Sequence, residues 1–103
     1  MITIVASMAL SAAVQASAAS TQRQQFTTCL RQAVDKANAD KLKPDGFEAF
    51  ARQSCAGQIT SFRQGLVNFD VKAGGPRKRA ESDADLQIED YLVGASEKLN
   101  PGT

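Results

Sequence analysis

The sequence predicts an all-α domain of three helices, in which one disulfide holds an antiparallel helical hairpin and a C-terminal helix follows. Apolar residues recur at spacings of three and four along most of the chain, which is typical of amphipathic helices. The two cysteines, Cys29 and Cys55, fall on the apolar faces of the first two predicted helices. A length of 103 residues is that of one small domain.

Residues 1–18 differ in composition from the rest of the chain, because they contain no charged side chain. The apolar stretch from Ile2 to Val14 is shorter than the roughly 20 residues that a membrane-spanning helix needs. Ala16-Ser17-Ala18 provides the small side chains that a signal peptidase accepts. We therefore expect a cleaved secretory signal peptide over 1–18 and a single helical domain over 19–103, located in the periplasm or secreted. An uncleaved anchor or a buried N-terminal helix is the alternative.

The first helix is predicted over about residues 22–37. It is expected to end before Pro44, because a proline disfavours helical backbone at the preceding residue. The apolar positions on its predicted buried face are Phe26, Cys29, Leu30, Ala33, Val34 and Ala37.

The second helix is predicted over about residues 46–71, with Asp45 as its N-cap and Glu48 as the acidic partner of a capping box. Gly57 and Gly65 lie inside it and indicate either close helix packing or a kink, of which we prefer the first. The large apolar residues on its face are Phe47, Phe50, Ile59, Phe62, Leu66 and Phe69.

A linker is predicted after the second helix, because Gly74-Gly75-Pro76 cannot continue a helix. The third helix is predicted over about residues 83–99. Ser82 is its expected N-cap, and acidic residues occupy its first turn, where the helix dipole favours them. Its apolar stripe consists of Ile88, Tyr91, Leu92, Ala95 and Leu99.

A disulfide between Cys29 and Cys55 follows from the geometry of the hairpin. At about 1.5 Å of rise per residue, both cysteines lie about 12–14 Å from the turn, and therefore at matched height on facing stripes. Such positions approach the roughly 5–6 Å between Cα atoms that a disulfide requires. Closing a loop of about 27 residues is worth on the order of 3 kcal/mol. Two reduced core thiols are the alternative.

The composition argues against several function classes. The chain has no histidine, which excludes histidine triads, histidine zinc sites and histidine-ligated haem. Two cysteines without a Cys-x-x-Cys spacing do not form a zinc site. A net charge of +1 lacks the basic excess of a nucleic-acid binder. We therefore expect no enzymatic activity, no cofactor or metal and no nucleic-acid partner, and we expect no transmembrane segment in the mature chain.

Apolar residues near the end of the second helix suggest a partner surface. The second helix is longer than the first, so the first cannot cover its far end. For phenylalanines at helical spacing we prefer the core, and the partner surface is the alternative for side chains that the other helices leave uncovered. The candidate partner-surface residues are Phe62, Leu66, Phe69 and Tyr91.

Two charged clusters are weaker candidates. Arg77, Lys78 and Arg79 in the predicted linker are a candidate anion contact, but we prefer an ordinary solvated linker, because the acidic residues that follow cancel much of their field. The carboxylates at the start of the third helix could hold a hard cation, although the helix dipole favours acidic residues there in any case. These carboxylates are Asp83, Asp85, Glu89 and Asp90.

We therefore predict a small exported interaction protein without enzymatic activity, such as an accessory, inhibitor or chaperone-like module. Its partner is expected to be another envelope or extracellular protein. The alternative is a small protein that binds a ligand in an interhelical pocket or a cation at the carboxylates of the third helix. A contiguous exposed apolar patch favours the first function, and an enclosed cavity favours the second.

Overall fold

The computed structural model describes residues 19–99, and this part of the chain is built from four α-helices and no strand. This confirms the predicted all-α class. The predicted signal peptide lies outside the described residues. The helices are α1 (Ser20–Ala39), α2 (Pro44–Ser54), α3 (Ala56–Lys72) and α4 (Arg77–Ser96).

The second predicted helix is two helices, α2 and α3, which are separated at Cys55. This residue has φ −115° and ψ 25°, outside the helical region. Backbone hydrogen bonds continue on both sides, from the Cys55 N–H to the Ala51 carbonyl and from the Ile59 N–H to the Cys55 carbonyl. Gly57, which follows closely, weakens the helix. The apolar spacing runs on through the interruption, so the periodicity predicted one helix.

Helix α4 begins at Arg77, about six residues before its predicted start. Pro76 is its N-cap residue, with φ −65° and ψ 135°, and Ser82 lies inside the helix. The extension is stabilised by Ala80 and Ala84, which are both buried against α3. Helix α2 likewise begins at Pro44, so the predicted N-cap Asp45 lies within its first turn.

The disulfide between Cys29 and Cys55 is present, with 5.9 Å between the Cα atoms, and the predicted pairing is confirmed. It joins α1 to the junction of α2 and α3. The rings of Phe26 and Phe62 meet at 5.6 Å between centroids. Near the start of α1, the side chain of Ala19 lies 3.6 Å from where a Cβ atom on Gly65 would stand. These contacts make α1 and α3 antiparallel, and Gly65 faces the start of α1 at a distance where an added Cβ atom would make ordinary van der Waals contact.

The buried residues form two clusters of different size. The larger, which we call the main core, draws on all four helices and contains the completely buried rings of Phe26, Phe47 and Phe62. The smaller is formed by Val67, Ala80 and Ala84, from α3 and α4 alone. We call residues 66–84, which surround this smaller cluster, the hairpin tip.

The turn between α3 and α4 requires a glycine at position 74. The Gly75 N–H donates to the Asp70 carbonyl at 2.9 Å and the Gly74 N–H donates to the Val71 carbonyl at 3.0 Å. This pair of bonds is the Schellman arrangement, in which the residue after the helix takes a positive φ. Gly74 has φ 98°, a conformation that glycine adopts without steric cost.

Candidate partner-binding groove

A cluster of aromatic rings joins α1, α3 and α4. Tyr91 lies 5.6 Å from Phe26 and 5.9 Å from Phe62 between ring centroids, with edge-to-face geometry in both pairs. The Arg23 guanidinium covers this cluster, 5.1 Å from the Phe62 centroid, and donates a hydrogen bond of 2.8 Å to the Tyr91 hydroxyl. A cation at that distance from a ring face is attracted to it. The arrangement fixes Tyr91 at one end of a groove between α1 and α4.

The groove has a volume of about 870 Å³ and runs between α1 and α4. Its floor is mostly apolar, and Leu30 and Ala95 on that floor also belong to the main core. The rim is charged on both sides. The floor residues are Leu30, Val34, Tyr91, Gly94 and Ala95, and the charged rim residues are Arg31, Asp35, Asp90 and Lys98.

The side chains of the four charged rim residues have no ion-pair or hydrogen-bond partner among the described residues. Two of these four are cationic and two are anionic, and Arg23, which pairs with Tyr91 at one end of the groove, adds a third cation. Exposed charges without partners on the edge of an apolar floor resemble the polar rim of a protein interface.

Gly94 lies in the last turn of α4, which ends at Ser96, and lines the groove. A Cβ atom at this position would meet no atom within 4 Å, so packing inside the described chain does not require glycine here. Because glycine has no side chain, the groove is open at this position.

A second depression, of about 820 Å³, lies beside the disulfide between α1 and α3. Amide and hydroxyl side chains line most of it, and the half-buried Cys29 forms part of its wall. It lacks an apolar floor, and its lining offers hydrogen bonds that water supplies equally well. The groove between α1 and α4 is therefore the stronger candidate.

The structure separates the four predicted partner-surface residues. Phe62 is completely buried, which corrects its placement on an exposed surface. The reason is that α1 and α4 both cover it, through Phe26 and Tyr91. Leu66 and Phe69 are half-buried in the hairpin tip, and Tyr91 is half-buried in the groove. These residues do not form one contiguous exposed patch, and only Tyr91 lines the groove.

The predicted linker residues Arg77, Lys78 and Arg79 form the first turn of α4. All three are exposed, and their side chains make no ion pair or hydrogen bond with the rest of the described chain. The prediction of a linker at these residues was wrong, because Pro76 starts the helix and the alanines that follow bury its inner face.

Two of the four predicted cation-binding carboxylates are engaged in ion pairs. Asp85 accepts a hydrogen bond of 2.8 Å from Arg63 Nε, and this bond lowers the pKa of Asp85 below its ordinary value. Glu89 accepts a bond of 2.9 Å from Arg52. Within residues 19–99, no cluster of three or more potential ligands is placed to hold a metal ion.

The fold and the groove define the chain as a small, disulfide-linked helical domain with an interhelical groove. Comparison with protein-family models, with characterised proteins and with solved structures gives no match. Among the described helices, none has both the length and the apolar character needed to cross a membrane. The disulfide is consistent with a periplasmic or extracellular location.

Proposed function

We propose that this chain is a small exported interaction protein without enzymatic activity, which binds a segment of another protein in the groove between α1 and α4. The observation that carries the proposal is the apolar floor of the groove, bordered by charges that have no partner in the described chain. Burial of such a floor supplies affinity, and pairing of rim charges supplies orientation.

The dimensions of the groove support a protein segment as its occupant. Its lining on α1 extends from Arg23 to Asp35. At 1.5 Å per residue this is about 18 Å, the length of about three helical turns. The groove lies open along the surface between the two helices, so it suits the side of a helix better than a small molecule, which is usually enclosed.

Export is part of the proposal. The uncharged segment 1–18 and the small-residue sequence at its end support a signal peptide. The Cys29–Cys55 bond supports an oxidising compartment, where such bonds persist. The alternative function, cation binding at the carboxylates of α4, gains no support, because Asp85 and Glu89 already pair with arginines.

Site-specific photo-crosslinking in the producing cell tests the proposed function. A photoreactive amino acid is introduced at Gly94, which faces the groove, and in a separate variant at Gly57. Gly57 is a matched control, since it is also a helical glycine at which a Cβ atom would meet nothing within 4 Å, but it lies outside the groove. We expect a discrete protein adduct from position 94 and none from position 57. Equal yields, or no adduct at 94, would contradict the proposal.

A further inference from the structure

The outward side of α4 carries exposed apolar and acidic side chains in a regular order. Leu86 and Val93 are the large apolar residues that stand exposed among residues 19–99, at 63% and 49%. They are seven residues apart, so they lie on one side of the helix, about 10.5 Å from each other along its axis. Asp83, Asp90 and Glu97 repeat at the same interval, each three or four residues from a member of the apolar pair. We call these five residues the outer seam.

The outer seam is separate from the core and adjoins the groove. All five of its residues are exposed, whereas Ile88 and Leu92 on the opposite side of α4 are buried. Helix α4 ends at Ser96, but Glu97 keeps helical backbone angles, φ −69° and ψ −13°, so the spacing holds to the end of the seam. Of the five residues, Asp90 alone also lines the groove.

The three acidic side chains of the seam have no ion-pair or hydrogen-bond partner in the described part of the chain. The carboxylates next to them differ, since Asp85 and Glu89 pair with arginines. Carboxylates seven residues apart on a helix are about 10.5 Å apart, too far to share one metal ion, whose oxygen ligands lie within roughly 2.6 Å of it. The seam therefore fits a row of separate cations and not a single bound ion.

We propose that the outer seam binds a basic amphipathic helix of another protein, which carries apolar side chains and lysine or arginine along one side. Charge complementarity selects this occupant, because the seam holds three carboxylates and no cation. Arg79, one turn before Asp83, limits the acidic surface at that end. The seams of two copies would repel each other, and an anionic lipid surface would repel the seam. The inference goes beyond the proposed function, which concerns the groove.

The spacing of the seam favours a helix as the partner. Two helices that pack side by side meet at positions that repeat every seven residues. The long apolar stems of lysine or arginine can lie on Leu86 and Val93 while their charged ends reach the carboxylates. One binding event then covers both exposed apolar side chains and pairs the three acids.

Fluorescence anisotropy with a synthetic peptide tests this surface. The probe is a labelled helical peptide of about three heptads, with leucine every seven residues and lysine three and four positions to either side. We expect it to bind the unmodified chain, and a peptide with glutamate in place of lysine to show no binding. Leu86→Gln with Val93→Thr should weaken binding at least about tenfold, because two apolar contacts are lost. Failure of the lysine peptide to bind, or unchanged affinity in a double variant that circular dichroism shows to be folded, would overturn the proposal.

A matched pair of double variants separates position from net charge. Asp83→Asn with Glu97→Gln removes two charges from the seam, and Asp35→Asn with Asp45→Asn removes two from exposed sites outside it. Asp35 lies on the rim of the groove, so the second variant also reports a peptide bound there. We expect binding to weaken at least about fivefold in the first variant and to stay unchanged in the second. Equal losses, or a larger loss in the second, would overturn the proposal.

Photo-crosslinking in the producing cell tests whether the natural partner has this chemistry. With a photoreactive amino acid at position 86, we expect an adduct whose crosslinked segment, identified by mass spectrometry, carries lysine or arginine at helical spacing around apolar residues. No adduct, or adducts with acidic segments alone, would overturn the inference. An adduct of the expected kind at position 86 without one at position 94 would support this inference and contradict the proposed function.

Discussion

The main core and the hairpin tip are stabilised to different extents. In the main core, four helices surround three completely buried phenylalanine rings, and a disulfide joins α1 to the start of α3. In the hairpin tip, only α3 and α4 meet, and their buried residues are one valine and two alanines. Since apolar stabilisation scales with the area removed from water, most of the stability of the domain lies in the main core.

This difference bears on where binding occurs. A region with little buried apolar surface opens at a lower free energy than the whole domain. The groove shares Leu30 and Ala95 with the main core, so its floor is held by the most stable part of the molecule. A site on such a base keeps its shape without a partner, which reduces the entropic cost of binding. No residue of the hairpin tip lines the groove.

The largest expected contrast comes from truncating one buried side chain in each region. Phe62→Ala should lower the free energy of unfolding by about 3–5 kcal/mol, because it leaves a cavity under α1 and α4. Val67→Ala in the hairpin tip should cost about 1–2 kcal/mol, because it removes less apolar area. Urea denaturation followed by circular dichroism measures both. Equal losses of unfolding free energy would show that the two regions contribute equally to the stability of the domain.

Removal of the disulfide should give the next largest effect. The double variant Cys29→Ala, Cys55→Ala should lose about 3 kcal/mol, because its unfolded chain gains the freedom of an unclosed loop. Hydrogen exchange should show faster exchange in α1 and in α3 near Cys55, with little change at the amides of the hairpin tip. If the tip exchanged faster by the same factor, the two regions would form one cooperative unit.

The sequence was sufficient to predict the features that follow from regular spacing. The helical class and the pairing of Cys29 with Cys55 both follow from positions along two facing helices. The start of α4 was missed because Ala80 and Ala84 contribute little to a hydrophobic pattern, yet they are small enough to pack closely against α3. The break at Cys55 was missed because the apolar spacing continues through it.

The groove was harder to predict, because it depends on how α4 lies against α1. Phe62 was predicted on a surface because the first helix is too short to cover all of the second. In the structure, Tyr91 of α4 covers the part of the Phe62 ring that α1 leaves open. One sequence feature could have indicated the groove. Gly94 lies near the end of the apolar stripe of the third predicted helix, beside Tyr91 and Ala95, and a glycine in a helical pattern can mark an open or closely approached surface.

The turns that bound the two regions offer a third prediction, with effects of opposite sign. Gly74→Ala in the hairpin tip should cost about 1–2 kcal/mol, since alanine is strained at φ 98°. The turn after α1 has the same Schellman bonds, but its positive-φ residue is Lys41, with φ 56°. Lys41→Gly should therefore raise stability by about 0.5–1 kcal/mol. Thermal unfolding of both variants checks the pair, and a loss for Lys41→Gly would contradict it.

The smallest effect is expected at the ion pair between Arg63 and Asp85, near the boundary of the two regions. The hydrogen bond from Arg63 lowers the pKa of Asp85 in the folded chain below its ordinary value of 3.8. A lowered folded pKa stabilises the fold above the ordinary value, and this contribution disappears as the pH falls through the folded pKa. Asp85→Asn should therefore be slightly less stable than the unmodified chain at pH 7, and the difference should be smaller at pH 2. Because the pair is partly exposed to solvent, added salt should reduce the difference at pH 7. Denaturation curves at the two pH values measure it, with Asp83→Asn, whose carboxylate has no ion-pair partner in the described chain, as the control. If the difference in unfolding free energy were as large at pH 2 as at pH 7, Asp85 would stabilise the fold through packing and not through its charge.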